Sequence, residues 1–111
     1  MEYHRHKKCI EACLRCAALC NHCASCCLRE KDVKMMARCI QLDMECAAVC
    51  YTTAQLMSLD SPHARDLSAI CVELCRACAD ECSKHNTLHC RECAEACEDC
   101  AEECMDMVAV A

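Results

Sequence analysis

Cysteine recurs along this 111-residue chain at alternating intervals of three and four. The first run is Cys9, Cys13, Cys16, Cys20, Cys23 and Cys27. The second is Cys39, Cys46 and Cys50, and the third is Cys71, Cys75, Cys78 and Cys82. The last is Cys90, Cys93, Cys97, Cys100 and Cys104. Steps of three and four hold one face of an α-helix, whereas on a strand they would scatter over both faces. Only Cys26, the neighbour of Cys27, departs from the stripe, by roughly 100° of helical rotation. In the second run the missing stripe position is Asp43, and the same stripe extends to Met36 and Met57. These are the positions that carry Leu and Ile in ordinary helix bundles.

The rest of the composition agrees. The chain has no Gly and one Pro, Pro62, so turn-rich β architecture has almost no chemistry to build on. Alanine and charged helix formers dominate. Leu, Ile, Val and Phe together make only about 15% of the residues, too few for a conventional core. The interior must therefore be cysteine. Three breaks divide the chain: Arg29, Glu30, Lys31 and Asp32; then Asp60, Ser61 and Pro62; then residues 83–88, with Asn86 or Thr87 as the next N-cap. The pattern predicts one domain over residues 1–111, all-α, with helices at about 3–29, 32–59, 62–84 and 87–108. Short connections imply an antiparallel up-down-up-down four-helix bundle with a Cys-lined core.

Several function classes drop out. No apolar leader precedes the first helix, so the chain reads as cytoplasmic, where thiols stay reduced. The longest uncharged stretches, 16–28 and 46–59, are too short and polar to span a bilayer. A net charge of −6 and only two aromatics, Tyr3 and Tyr51, argue against nucleic acid as a partner. The basic group from His4 to Lys8 reads as a solvated helix start. No nucleophile–base pair stands apart from the thiols and no Gly-rich phosphate loop exists, so the chain does not read as an enzyme.

A column of thiols has few uses. Disulfides are disfavoured by the reducing compartment and, within one helix, by the separation of i and i+4 side chains. Soft thiolates select Cu(I), Zn or Fe–S clusters. Zinc prefers closed sets of four ligands, usually from turns, and Fe–S clusters use loop-borne CxxCxxC runs. Buried thiolates need charge compensation, and a monovalent ion near one per thiolate leaves the core almost neutral. Multiple Cu(I) ions fit best. Two other readings remain beside it: a thiol redox module cycling through disulfides, and a zinc buffer.

The segments Cys-Ile-Glu-Ala-Cys (9–13), Cys-Asn-His-Cys (20–23), Cys-Ile-Gln-Leu-Asp-Met-Glu-Cys-Ala-Ala-Val-Cys (39–50) and Cys-Ser-Lys-His-Asn-Thr-Leu-His-Cys (82–90) resemble the cytosolic bacterial copper storage proteins. The resemblance runs from Cys9 to Cys104. It implies storage of many Cu(I) ions per protomer along the bundle axis and assembly into a homotetramer. The extra thiol of Cys26 and the His-rich start have no counterpart in the family pattern.

All 19 cysteines, with His85 and His89, form the candidate metal-ligand set. In an antiparallel bundle His85, His89, Cys26, Cys27, Met35 and Met36 gather at one mouth, through which Cu(I) is expected to load before passing to deeper thiols such as Cys16, Cys46, Cys75 and Cys97. Cys90, in a first helical turn, is expected to have its pKa lowered by the helix dipole. His22 reads as a surface residue. Met57, Met105 and Met107 read as filler at the far end. Asp43 is either a hard ligand within the column or a hydrogen-bonding group that interrupts it.

Overall fold

The computed structural model describes residues 6–109. Four α-helices carry almost all of them: α1 (Lys7–Cys27), α2 (Ala37–Ser58), α3 (Ala64–Cys82) and α4 (Leu88–Ala109). They run antiparallel to their sequence neighbours, and α1 also packs along α4, so the four close a square around one axis. The bundle measures 47 × 19 × 18 Å. No helix among the described residues is long and apolar enough to cross a membrane.

The helix ends show how a chain without glycine stops and restarts. Asp60 takes the left-handed conformation (φ 53°) after α2, a position usually given to Gly. Ser61 N–H then reaches back to the Leu56 carbonyl at 2.9 Å, closing the orphan end of the helix. The Ser61 hydroxyl accepts from His63 N–H at 3.1 Å. Regular helix begins only at Ala64, two residues after the expected start at Pro62. Asp32 is a cap, as its sequence position suggests, but of a 3-10 turn: its carboxylate accepts from Met35 N–H and the turn Val33–Met36 leads into α2. The second α-helix therefore starts at Ala37 and not at 32. Thr87 is the N-cap of α4, accepting from Cys90 N–H at 3.2 Å. The first and third helices stop at Cys27 and Cys82, two residues short of the expected ends, because turns of i→i+3 bonds follow each. Residues 3–5 of the expected first helix, including His4 and Arg5, lie outside the described residues.

The interior matches the stripe. Every cysteine except Cys26 is buried, with Cys9 the most accessible at 7%. Large apolar side chains contribute little beyond Ile10, Leu42, Val72, Met36 and Met57. Buried alanines, among them Ala17, Ala47, Ala79 and Ala101, sit beside the cysteines and allow the helices to approach closely.

Candidate metal centre

The stripe positions of four helices meet on the axis and bring sulfur next to sulfur over most of its length. At one end Cys9 and Cys104 stand 2.9 Å apart, and Cys13 approaches Cys104 at 3.5 Å and Cys100 at 3.7 Å. Cys50 lies 3.7 Å from Cys71, and Cys46 lies 3.6 Å from Cys75. Cys16 then faces Cys97 at 3.7 Å, and Cys20 faces Cys93 at 3.7 Å. Cys39 meets Cys82 at 3.4 Å, and Cys90 closes the column against Cys23 at 3.8 Å and Cys27 at 3.9 Å. Two sulfurs holding one ion at about 2.3 Å each are roughly 4 Å apart when the angle is trigonal. The column is spaced for metal between its thiols with little rearrangement.

Four-sulfur sets recur along it. Cys16, Cys46, Cys50 and Cys75 have all their sulfurs within 4.8 Å of one another, as do Cys16, Cys20, Cys46 and Cys97. So do Cys20, Cys78, Cys93 and Cys97, and nearer the mouth Cys23, Cys27, Cys39 and Cys90. The first two sets share Cys16 and Cys46, and the second and third share Cys20 and Cys97. Sets that share ligands can be filled together only through sulfurs that bridge. Bridging sulfurs can serve two ions each.

Asp43 interrupts the column as a hydrogen-bond acceptor. Oδ1 accepts from the Cys78 and Cys93 thiols at 3.2 Å each and from Cys82 at 3.6 Å, while Cys39 approaches Oδ2 at 3.8 Å. The carboxyl is wholly buried. Burial, then the charges of Cys93 and Cys39, push its pKa up to about 8. The thiols divide their protons. Cys9 is lowered to about 5, chiefly because Cys104 donates to it, whereas Cys104 is raised, first by Cys100. Burial raises Cys27 and Cys90. The expected helix-dipole lowering at Cys90 is thus overturned: the thiol is fully buried, and desolvation outweighs the Thr87 hydroxyl beside it.

At the mouth, His85 and His89 are mostly buried and each lies beside a carboxylate. His85 Nε2 meets Glu81 Oε2 at 2.9 Å. Glu81, itself buried, also faces Arg38 and Lys84. His89 Nε2 is 3.5 Å from Glu30 Oε1, is shut off from solvent and makes no hydrogen bond. The cleft over this end has a volume of about 470 Å³ and is lined by Glu30, Asp32, Met35, Met36, His85 and Thr87. Met36 is buried, whereas Met35 is exposed. The far end differs: Met57 is wholly buried, Met105 and Met107 pack against the core, and Thr53 and Ser68 occupy the interior.

Cys26 does not join the column. It lies half-buried on the outer side of α1, 3.6 Å from His22 Nε2. Its i,i+4 spacing from His22 was legible in the sequence but carried no weight without knowing which way both side chains turn. Glu30 and Glu81, the carboxylates beside the mouth histidines, gave no sequence signal.

The copper storage protein profile matches residues 2–109. A cysteine-rich protein of Bacillus subtilis (strain 168), YhjQ, itself uncharacterized, is 46% identical over 88 residues, 79% of this chain and 82% of that one. Among solved structures, the Cu(I)-bound copper storage protein BsCsp3 is 42% identical with a TM-score of 0.89, over 98% of this chain and 100% of that one. A cytosolic copper storage protein from Streptomyces lividans carrying five coppers is 40% identical with a TM-score of 0.93, over 99% and 97% of the two chains. With this bundle and this thiol column, the chain belongs to the copper storage protein family.

Proposed function

We propose that the protein stores and buffers multiple Cu(I) ions in the cytosol, held by the 18 seam cysteines, and that it performs no catalysis. The observation that carries this reading is the sharing of Cys16, Cys46, Cys20 and Cys97 between adjacent four-sulfur sets. A continuous run of bridging thiolates suits a monovalent soft ion that accepts two or three sulfurs. Zinc, which takes a closed tetrahedral set of four ligands, fits a continuous stripe of two- and three-sulfur contacts less well. The copper-bound relatives support the ion, and the cytosolic S. lividans protein supports the compartment.

Copper enters and leaves, in this reading, at the mouth formed by His85, His89, Cys27 and Cys90. The unpartnered His89 Nε2 is a ready soft-metal ligand there, and the Glu81 carboxylate fixes the ring of His85. Assembly into a homotetramer is part of the same proposal. It is supported by apolar side chains left exposed on α1 and α2, Leu14, Met44 and Tyr51.

Titration of the reduced protein with Cu(I) against a competing chelator tests the function. Uptake of many ions, approaching one per seam thiol, is expected. Saturation at a few ions would favour the redox module, and tight Zn²⁺ binding at about one ion per four thiols would favour the zinc buffer.

A further inference from the structure

Cys26 is the one thiol outside the column, and it does not stand alone. His22 lies one turn before it on the outer face of α1, with Nε2 at 3.6 Å and Nδ1 at 4.0 Å from Sγ. Both side chains reach solvent. We infer that Cys26 and His22 form a separate surface site that chelates a single Cu(I) ion outside the storage column. The inference rests on the Cu(I) reading of the column and extends it to a ligand pair which that column does not use.

Three features carry it. The first is reach. An ion at about 2.3 Å from sulfur and about 2.0 Å from nitrogen spans 3.6–4.0 Å at an angle of roughly 110–135°, so the pair closes on a metal with little more than a turn of the imidazole. Ligands at i and i+4 on one helical face make the same chelate that two histidines make in helix-borne zinc sites. The second is position. α1 ends at Cys27, so the pair occupies its last turns, where the helix dipole favours a cation. The third is ligand type. One thiolate and one imidazole satisfy a soft ion of low coordination number, whereas Zn²⁺ would lack half of its usual protein ligands.

Binding replaces the Cys26 S–H bond by a Cu–S bond, and the proton goes to solvent; no electron is transferred. Two ligands hold an ion less firmly than the bridged thiolates inside. The site therefore fills after the column and exchanges faster. The adjacent residue, Cys27, faces Cys90 at the top of the column, so this ion sits beside the mouth.

The test is alkylation of the full-length reduced protein by iodoacetamide, followed peptide by peptide by mass spectrometry during anaerobic Cu(I) addition. In the apoprotein Cys26 should label faster than the buried thiols. Cu(I) beyond the column's capacity should then slow Cys26 labelling by at least about tenfold, and His22→Ala should abolish most of that protection. Cys26→Ser should lose one weakly held equivalent, the first removed by chelator, and keep the rest. Equal labelling of Cys26 with and without Cu(I), while the column thiols are protected, overturns this site and leaves the column reading intact. Protection that survives His22→Ala overturns the role of the imidazole. If Cu(I) protects neither Cys26 nor the column thiols, both readings fall.

Discussion

The two ends of the bundle solve the problem of closing a sulfur column in opposite ways. At the far end the seam passes from thiols to Thr53, Ser68 and Met57. The two hydroxyls turn back onto their own helices, Thr53 to the Val49 carbonyl at 2.7 Å and Ser68 to the Ala64 carbonyl at 2.8 Å. Met57 fills the remaining space. Both hydroxyls are thus spent locally, and the last thiols before them are Cys9 and Cys104. At the mouth the same positions carry ionisable groups held by partners from other elements. Glu30 in the α1–α2 connection approaches His89, and Asp43 collects thiols from α3 and α4 as well as its own helix. Beyond the Cys9–Cys104 pair one end closes on neutral side chains, whereas the other carries imidazoles and carboxylates. The proposed entry of copper at the mouth rests on this difference between the ends, since the thiols between them look alike from either side.

Removing the charge from the titratable half has the largest expected effect. Asp43 keeps its proton up to about pH 8 in the folded protein, whereas in the unfolded chain it loses it near the ordinary value of 3.8. Between those values the folded state binds more protons, so apoprotein stability falls as pH rises through this window. Below it the carboxyl is neutral in both states and costs nothing. The loss is on the order of 6 kcal/mol across the window. Asp43→Asn keeps an acceptor oxygen and removes the charge. Denaturant unfolding of the reduced apoprotein at pH 5 and pH 8 should show a clear drop for the native chain and a much smaller one for the variant. Equal slopes would place the carboxylate outside the pH dependence.

Next in size is the plug itself. Met57→Ala should cost about 3 kcal/mol by leaving a cavity at a wholly buried position, with little change in the rate of Cu(I) loading. The paired change at the other end, His85→Ala with His89→Ala, should do the reverse. Loading, and removal by a chelator, should slow about tenfold with capacity almost intact. Stopped-flow transfer from a Cu(I)–chelator complex measures both. If the methionine variant is the slow one, the polarity assigned to the bundle is backwards.

The difference between the ends was only half legible in the sequence. The seam was, because a three–four alternation of one residue type leaves a single helical face to occupy, and each seam thiol from Cys9 to Cys104 is buried as that pattern requires. The capping residues Asp32 and Thr87 were also readable, since their side chains act on backbone a few residues away. What escaped depends on partners distant in the chain or on side-chain direction. Glu30 reaches His89 across the mouth, and no local pattern announces it. Asp43 reads either as a hard ligand or as a hydrogen-bonding group, and its thiol donors Cys78 and Cys93, far away in the chain, support the second. At Cys90 the local rule pointed the wrong way, because this thiol is fully buried and desolvation outweighs what the first helical turn offers it.

The smallest effect tests whether the far end is closed by composition alone. Thr53 and Ser68 stand three residues from Cys50 and Cys71, at the next seam positions, and both are fully buried. Their hydroxyls bond carbonyls four residues back that the helix already engages, so little depends on them. Replacing both by Cys, Thr53→Cys with Ser68→Cys, should change stability by less than about 1 kcal/mol, because a thiol is a small apolar group of similar volume. Yet it would extend the bridging thiols one step toward Met57. Cu(I) titration against a chelator should then reach an endpoint higher by about one ion, with the mouth still setting the loading rate. An unchanged endpoint would mean that seam position alone does not make a thiol part of the store, and that the plug excludes copper by packing as well as by chemistry.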